Sequence, residues 1–556
     1  MTPPRRSSSR LDGDTRGGRP LARPMRTSDV MTSPPPLGCY PGYVLRPLRR
    51  PIPIPLLVAV AVAYGGGSVA AAPAVGTTSG PVLEHHGGPT RAGVYADPAL
   101  TRAAAARVRP DVGFRATIDG AVYAQPLYVP GARGGRALVV AASQRNEVAA
   151  FDAATGAPVW RRRLGTPVPL SALPCGNIDP LGVTGTPVVD PSSRTLYLDA
   201  MDTPDGGATK RHRLFALGVD DGADRPGWPL EVAAIARAGG VRFDAAVQNQ
   251  RGALALVAGT LYVPFGGHFG DCGDYRGWLV AVPVGNPGAA RAWATGARGG
   301  GIWGPSGVSS DGASVFVATG NTFDATTWSG GEAILRFPAG VPLPDAPADA
   351  FAPANWKALD AGDVDLGGTG PVMLDLPGTP PARLAVGLGK DGKIYLVDRA
   401  RMGGIGGALV ATTVASSSII NAAAAYTTAK GTYVVFRGAG AACPGGRSGG
   451  RSGGLTAVRI TSGAPPRVAT AWCAPLDGRG SPMVTTTDGQ SEAVVWAVGA
   501  EGDGRLHAFD GDTGAVVSSG AGGEPLAVRR FQTPILAGGR IYVAVDGGVR
   551  AFVPGP

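Results

Sequence analysis

A chain of 556 residues with 44% hydrophobic content can bury a large core, which excludes wholesale disorder. Its net charge of +10 does not mark a nucleic-acid binder, because residues 1–50 hold ten Arg and three Asp, or +7, and the rest carries only about +3. Gly (88) and Pro (51) make a quarter of the chain, yet most fall between short apolar runs, where they read as turns between strands.

Residues 1–50 are rich in Arg, Pro and Ser and lack apolar periodicity, so they read as a disordered segment or a misassigned start. A secretory signal pattern follows over 46–74. Arg46, Arg49 and Arg50 give a basic flank, Leu56 to Tyr64 a short apolar core, and the alanines near 70–74 a small-residue cleavage site. The apolar run is too short and Pro-broken for a membrane span of about 20 residues. The chain is therefore expected to be secreted or periplasmic, with no transmembrane anchor. Cys39 precedes the apolar core and does not fit a lipoprotein cysteine. Residues 75–112, with His85 and His86, read as a flexible linker.

From 113 to 556 one unit recurs: a small residue and Pro, an apolar run, a Gly turn, a φ-Tyr-Val run, then φ-x-Ala-φ (φ being apolar). Eight copies are found, from "AQPLYVPGARGGRALVVAASQRNEVAAFD" to "QTPILAGGRIYVAVDGGVRAFV". Each is three or four β-rich runs broken by Gly, Asp-Gly or Pro, and no convincing amphipathic helix intervenes. The spacing of about 40–65 residues suits propeller blades. The expected fold is all-β, an eight-bladed propeller of four-stranded antiparallel blades. The last unit lacks its outer strand, and "GFRATIDG" at 113–120 stands ready to supply it, closing the ring by pairing the chain ends.

"VAAFDAATGAPVW" (148–160) and "LHAFDGDTGAVV" (506–517) share an Asp-x-x-Thr-Gly element. It reads as a turn between the two outer strands of a blade, with Asp capping the turn amides and Gly at positive φ. Trp160, Trp293 and Trp472 follow this turn or its counterpart and fit clefts between blades.

The motif "AFDAATGAPVW" resembles the repeat of pyrroloquinoline-quinone (PQQ) propellers of the quinoprotein alcohol dehydrogenase type, over about residues 113–553. "PCGNIDPLGVTGTPVVD", "GGHFGDCGDYRGWLVAV" and "KDGKIYLVDRARMG" are most similar to uncharacterised secreted members, and many relatives are not enzymes. In the dehydrogenases the resemblance implies a Ca²⁺ or lanthanide held by a Glu and an Asn, a later Asp base, and a basic residue on the quinone. "GDCGDYRGWLVAV" resembles the Glu segment but offers Asp271 and Asp274 instead. "ATGNTFDATTW" places Asn321 at the Asn position as metal and cofactor ligand. "AGDVDLGGTGPVMLD" places Asp363 and Asp365 at the base, and "GKDGKIYLVDR" places Lys390 on the quinone. The adjacent cysteine pair of the dehydrogenases is replaced by Pro174-Cys175-Gly176-Asn177, and no Cys-x-x-Cys-His haem site exists.

In an exported chain Cys175, Cys272, Cys443 and Cys473 can pair in three ways. The similar settings of the first two, and the short spacing of the others, favour 175–272 and 443–473. The residues also allow bland readings: Asn321 as a turn residue, Asp363 and Asp365 as turn caps, Lys390 as a hairpin-flanking charge, His268 as a hydrogen-bonded loop residue, and His212 and His507 as edge or surface residues. The leading expectation is thus a monomeric, non-catalytic binding or scaffolding propeller with an unknown protein, glycan or small-molecule partner and no nucleic acid. The alternatives are a PQQ- and metal-dependent alcohol or sugar dehydrogenase, and a glycan binder using Trp303 and Trp328. An enzyme requires Asn321 and the acids to converge on the central axis, whereas a scaffold requires a channel plugged by side chains.

Overall fold

In a computed structural model the structure describes residues 80–555 apart from 341, 379, 447–452 and 522. The segment at 1–50 and the signal pattern at 46–74 lie outside the described residues. Eight sheets follow one another along the chain, four of four strands and four of five, each built on an antiparallel set running from inner to outer. We number them blade 1 (127–163), blade 2 (188–231), blade 3 (248–294), blade 4 (309–352), blade 5 (372–413), blade 6 (424–475), blade 7 (483–519) and blade 8 (535–553). The helices among the described residues are short, at Arg102–Ala105, Val232–Ile235 and Trp356–Gly362, with single 3-10 turns elsewhere. None is long and apolar enough to cross a membrane.

The inner and middle strands are buried on both faces, as blade-on-blade packing requires: Thr195–Asp202 and Ser314–Thr319 are buried at every residue. Outer strands alternate, Pro158–Arg163 reading exposed at every second position. Blade 8 has three strands of its own. Its last, Gly548–Val553, is paired outward by Arg109–Pro110 and Ala116–Thr117 from the other end of the chain. The 113–120 segment therefore closes the ring, and no blade edge is left open there.

The repeated turn has the expected geometry. Asp152 Oδ1 accepts from the N–H groups of Ala154 and Thr155 and from Thr155 Oγ1, each at 3.0 Å. Asp510 repeats this with Asp512 and Thr513. The Gly of the turn has a second duty. Gly514 has φ +70°, and a Cβ there would lie 2.6 Å from the Trp472 ring of the preceding blade. Trp472 Nε1 then donates to Gly511 O at 2.8 Å, and Trp160 Nε1 likewise donates to Val219 O of blade 2 at 2.7 Å. Each Trp thus fixes one blade to the turn of the next.

The described part of the 75–112 segment is not a flexible linker. Residues 82–97 run along the inner strands of seven blades in turn. Val82 pairs with Tyr128 of blade 1, and Leu83 O accepts from Val189 of blade 2. Pro89, Thr90, Ala92 and Gly93 carbonyls accept from Ser310, Met373, Ala425 and Val484 of blades 4, 5, 6 and 7. Val94–Ala96 then adds a parallel strand to blade 7. Arg91 reaches Leu254 O before the blade 3 strand and Val308 O before that of blade 4. The segment supplies partners for inner-strand amides that would otherwise face the axis unpaired. His85 and His86 are consequently buried and stacked, with ring centroids 4.4 Å apart. His212, expected at an edge, is also buried, with Nδ1 2.7 Å from Asp199 and Nε2 3.0 Å from Gln248 O.

Candidate active site

The axis opens into a cavity of about 620 Å³. Asp271, Asn321, Asp363, Asp365 and Lys390 all line it, with Trp303 and Tyr275. His85 of the axial segment also borders it. Asp274 does not take part: its side chain is 72% exposed and sits 3.9 Å from Arg276. The Asp-rich loop turns its second acid outward, so only Asp271 remains from the expected metal pair.

Asn321 ends the run from the blade 4 strand Ser314–Thr319. Its backbone N–H donates to Asp365 Oδ1 at 2.7 Å. Gly320 makes this possible, since a Cβ there would lie 2.2 Å from Asp365 Oδ1 and 3.2 Å from Trp303 Nε1. Asp365 itself follows the helix Trp356–Gly362, which Asp363 terminates in the left-handed conformation at φ 49°. Two residues on, the chain dives inward, so Asp365 has 4% side-chain exposure while Asp363 keeps 65%. Of the two acids proposed for proton abstraction, Asp365 is the one held inside.

Lys390 lies in the turn after Arg383–Leu388 of blade 5. Its N–H donates to Asp365 O at 2.8 Å. Its Nζ donates to Asp363 Oδ1 at 2.8 Å and to Asp363 O at 3.2 Å, and forms a close ion pair with Asp365 Oδ2. The ammonium also stands 5.6 Å from the centre of the Trp303 ring. Burial pushes the Asp365 carboxyl above its usual range despite Lys390. Burial pulls the Lys390 ammonium down, but Asp365 and Asp363 together hold it above its ordinary value.

Behind Asp365 lies Glu332, which sequence reasoning missed. It is fully buried, its Oε2 accepts from Leu366 N–H at 2.6 Å, and its Oε1 has no hydrogen-bond partner among the described residues. Burial, then the charge of Asp365, push its carboxyl up to about 9. A single acid opening the run "GEAILRF" gives no sign of this, because strand-flanking acids are ordinarily solvated.

The other end of the cavity is cationic. Arg251, Arg529 and Arg530 line it with Tyr123 and Phe531. Arg529 is bonded to Asp546 at 2.6 Å and Arg530 to Glu501 at 2.7 Å. Arg251 has no ion pair or hydrogen bond among the described residues. Its guanidinium rests over the Phe531 ring, 5.8 Å from the centroid, and burial followed by the charge of Arg530 lowers it to about 10. In "QNQRGALALV" it looked like any charge before a strand.

At the mouth, the Cys175–Cys272 disulfide ties two wall loops across 97 residues of sequence. Asn177 and Ile178 border the cavity on one side of it, Gly270 and Asp271 on the other. Phe269 stands on the rim with 63% exposure. The second disulfide, Cys443–Cys473, braces blade 6. Trp303 is half-buried in the cavity wall, and Trp328 is half-buried with Nε1 donating to Gly331 O at 2.8 Å.

No family model and no curated protein matches the chain. Solved structures do. The quinohemoprotein alcohol dehydrogenase ADHIIG of Pseudomonas putida HK5 aligns with a TM-score of 0.62 at 13% identity, over 86% of this chain and 81% of that one. The quinohemoprotein alcohol dehydrogenase of Comamonas testosteroni aligns at 0.57 and 14% identity, covering 85% and 80%. A europium-containing methanol dehydrogenase aligns at 0.57 and 16% identity, covering 85% and 90%. The fold is therefore an eight-bladed propeller similar to those of these dehydrogenases.

Proposed function

We propose that the protein is an exported quinone-dependent dehydrogenase, oxidising an alcohol or sugar hydroxyl in the axial cavity. The observation that carries this reading is convergence. Asp271, Asn321, Asp363, Asp365 and Lys390 come from loops of three blades and meet on one cavity at the axis. A scaffolding propeller has no need of that arrangement. The two disulfides support an oxidising compartment.

The residues fit a planar quinone bearing carboxylates, of the PQQ class. Trp303 offers a flat face, and Lys390, Arg251 and Arg530 offer cations for acidic groups. Unpaired Arg251 is the clearest sign, because a desolvated guanidinium facing a cavity is stabilised by an anion. A metal fits less well. Among the described residues no three His, Cys, Asp or Glu side chains are placed to share an ion.

A bound quinone supplies the two-electron acceptor. The chain does the rest. Asp365 takes the hydroxyl proton at Oδ2, which keeps a lone pair beside Lys390. Lys390 and the Asn321 N–H fix the carboxylate's orientation. Phe269 and the disulfide-tied loops shield the mouth.

Titration of the full chain with PQQ, followed by absorbance and by reduction of an acceptor dye with simple alcohols and sugars, tests this. Binding with turnover is expected, and Asp365→Asn should retain binding and lose turnover by about 10²-fold or more. No binding in any buffer returns the reading to a non-catalytic binding propeller.

A further inference from the structure

The donor set of this cavity disagrees with a metal-dependent site, and the disagreement points to a replacement. Asp271 has Oδ1 bonded to Tyr275 Oη at 2.7 Å, and Asp274 is at the surface. Asp365 has Oδ1 on the Asn321 N–H and Oδ2 on Lys390, while Asp363 Oδ1 is also on Lys390. Of the hard oxygens a Ca²⁺ or lanthanide would need, those of Asp274 are turned away, one of Asp271 is held by Tyr275, and those of Asp363 and Asp365 already serve Lys390. Of the other carboxyls nearby, Glu332 is buried behind Asp365 and bonded to a backbone amide, and Asp360 is bonded to Thr322.

We propose that Lys390 is the resident cation of this site: its ammonium, clamped by Asp363 and Asp365 over the face of Trp303, supplies the positive charge at the reactive end, and no metal ion is used there. The proposal rests on the cavity being a quinone site. Three physical points support it. An ammonium is a compact point charge with three donors, so it can hold two carboxylates and still turn one N–H to a ligand oxygen. The longest of its bonds, to Asp363 O at 3.2 Å, is the one a ligand acceptor takes over. A dication placed beside the same carboxylates would have to compete with Lys390 for them.

The contrast with the europium-containing methanol dehydrogenase is then one of means: that protein contains a lanthanide, and this chain carries its charge on a side chain.

The test uses the full chain, stripped with a chelator and checked for metal content. PQQ affinity, read by absorbance and tryptophan quenching, is expected to agree within about twofold with chelator, CaCl₂ or LaCl₃ present. Lys390→Met is expected to weaken PQQ binding by about tenfold or more, with Lys390→Arg retaining most of it. A second measurement needs no quinone: Tb³⁺ luminescence sensitised by tryptophan. The wild type is expected to show no stoichiometric site, and Lys390→Met, with its carboxylates released, is expected to gain one that Asp365→Asn removes. The proposal is overturned if chelated protein binds PQQ only after Ca²⁺ or La³⁺ is restored. It is equally overturned if the wild type binds one Tb³⁺ in a site abolished by Asp271→Ala. Failure to bind PQQ under every condition sinks the quinone reading instead, and the Tb³⁺ result still decides whether a metal belongs here.

Discussion

Two arginines near the axis look alike in sequence and differ in everything else. Arg91 is fully buried with its donors taken up: Nε and Nη2 on Val308 O, Nη2 also on Leu254 O, and Nη1 on Glu84 at 2.8 Å and on His85 O. Arg251 borders the cavity half-buried over the face of Phe531, with no ion pair or hydrogen bond among the described residues. A buried charge with all its bonds made is architecture, whereas one left without them faces something the fold does not contain. The same rule separates the clamped Lys390 from Glu332, whose Oε1 is unpartnered.

The sharpest way to break the comparison is to remove each charge. Arg91→Met should cost about 3–5 kcal/mol, because it strands Glu84 and several carbonyls in the interior. The midpoint of guanidinium unfolding in the full chain checks this, and a loss below about 1 kcal/mol would sink the distinction. Glu332→Gln should act through pH. The folded carboxyl titrates at about 9 against an ordinary 4.5, so the unfolded chain releases its proton first. Wild-type stability then falls as pH rises between those values, by up to about 1.4 kcal/mol per pH unit. Urea melts should show the variant gaining on the wild type at pH 8 and losing most of that lead at pH 5.

Arg251→Met, the mirror of the first substitution, should leave stability unchanged or slightly raised. It should weaken PQQ binding by about tenfold, near 1.4 kcal/mol, which calorimetry would detect. Unaltered affinity together with lost stability would make Arg251 structural. The smallest effect belongs to the repeated turn: Asp152→Ala removes three hydrogen bonds at an exposed site and should cost about 1 kcal/mol with no change in ligand affinity.

What could be read from the sequence follows the same divide. The blades were legible because each repeats a local rule, as Asp152 and Asp510 show: a short polar residue before Thr-Gly makes its own turn wherever it stands. Asn321, Asp365 and Lys390 were found through resemblance of their flanking segments, and in isolation each reads as a turn residue. Arg251 and Glu332 were missed because their peculiarity is a missing partner, which no local pattern encodes. Residues 82–97 were missed for a further reason. Their bonds run mostly from main chain to main chain across seven blades, so their side chains carry no period to detect. Asp274 shows the opposite error, an acid in the right segment turned outward by the loop.

The axial segment also dictates an order of events. Residues 82–97 are made before any blade, yet nearly all their partners come later, and the outer edge of blade 8 joins 109–117 to 548–553. The axial segment cannot settle until blade 7 has been made, nor residues 109–117 until the last strand has. Folding is thereby weighted towards distant contacts, which slows it, and the nearly complete chain must keep a groove open along its axis until closure. A truncation that removes even the final strand would release residues 109–117 together with it.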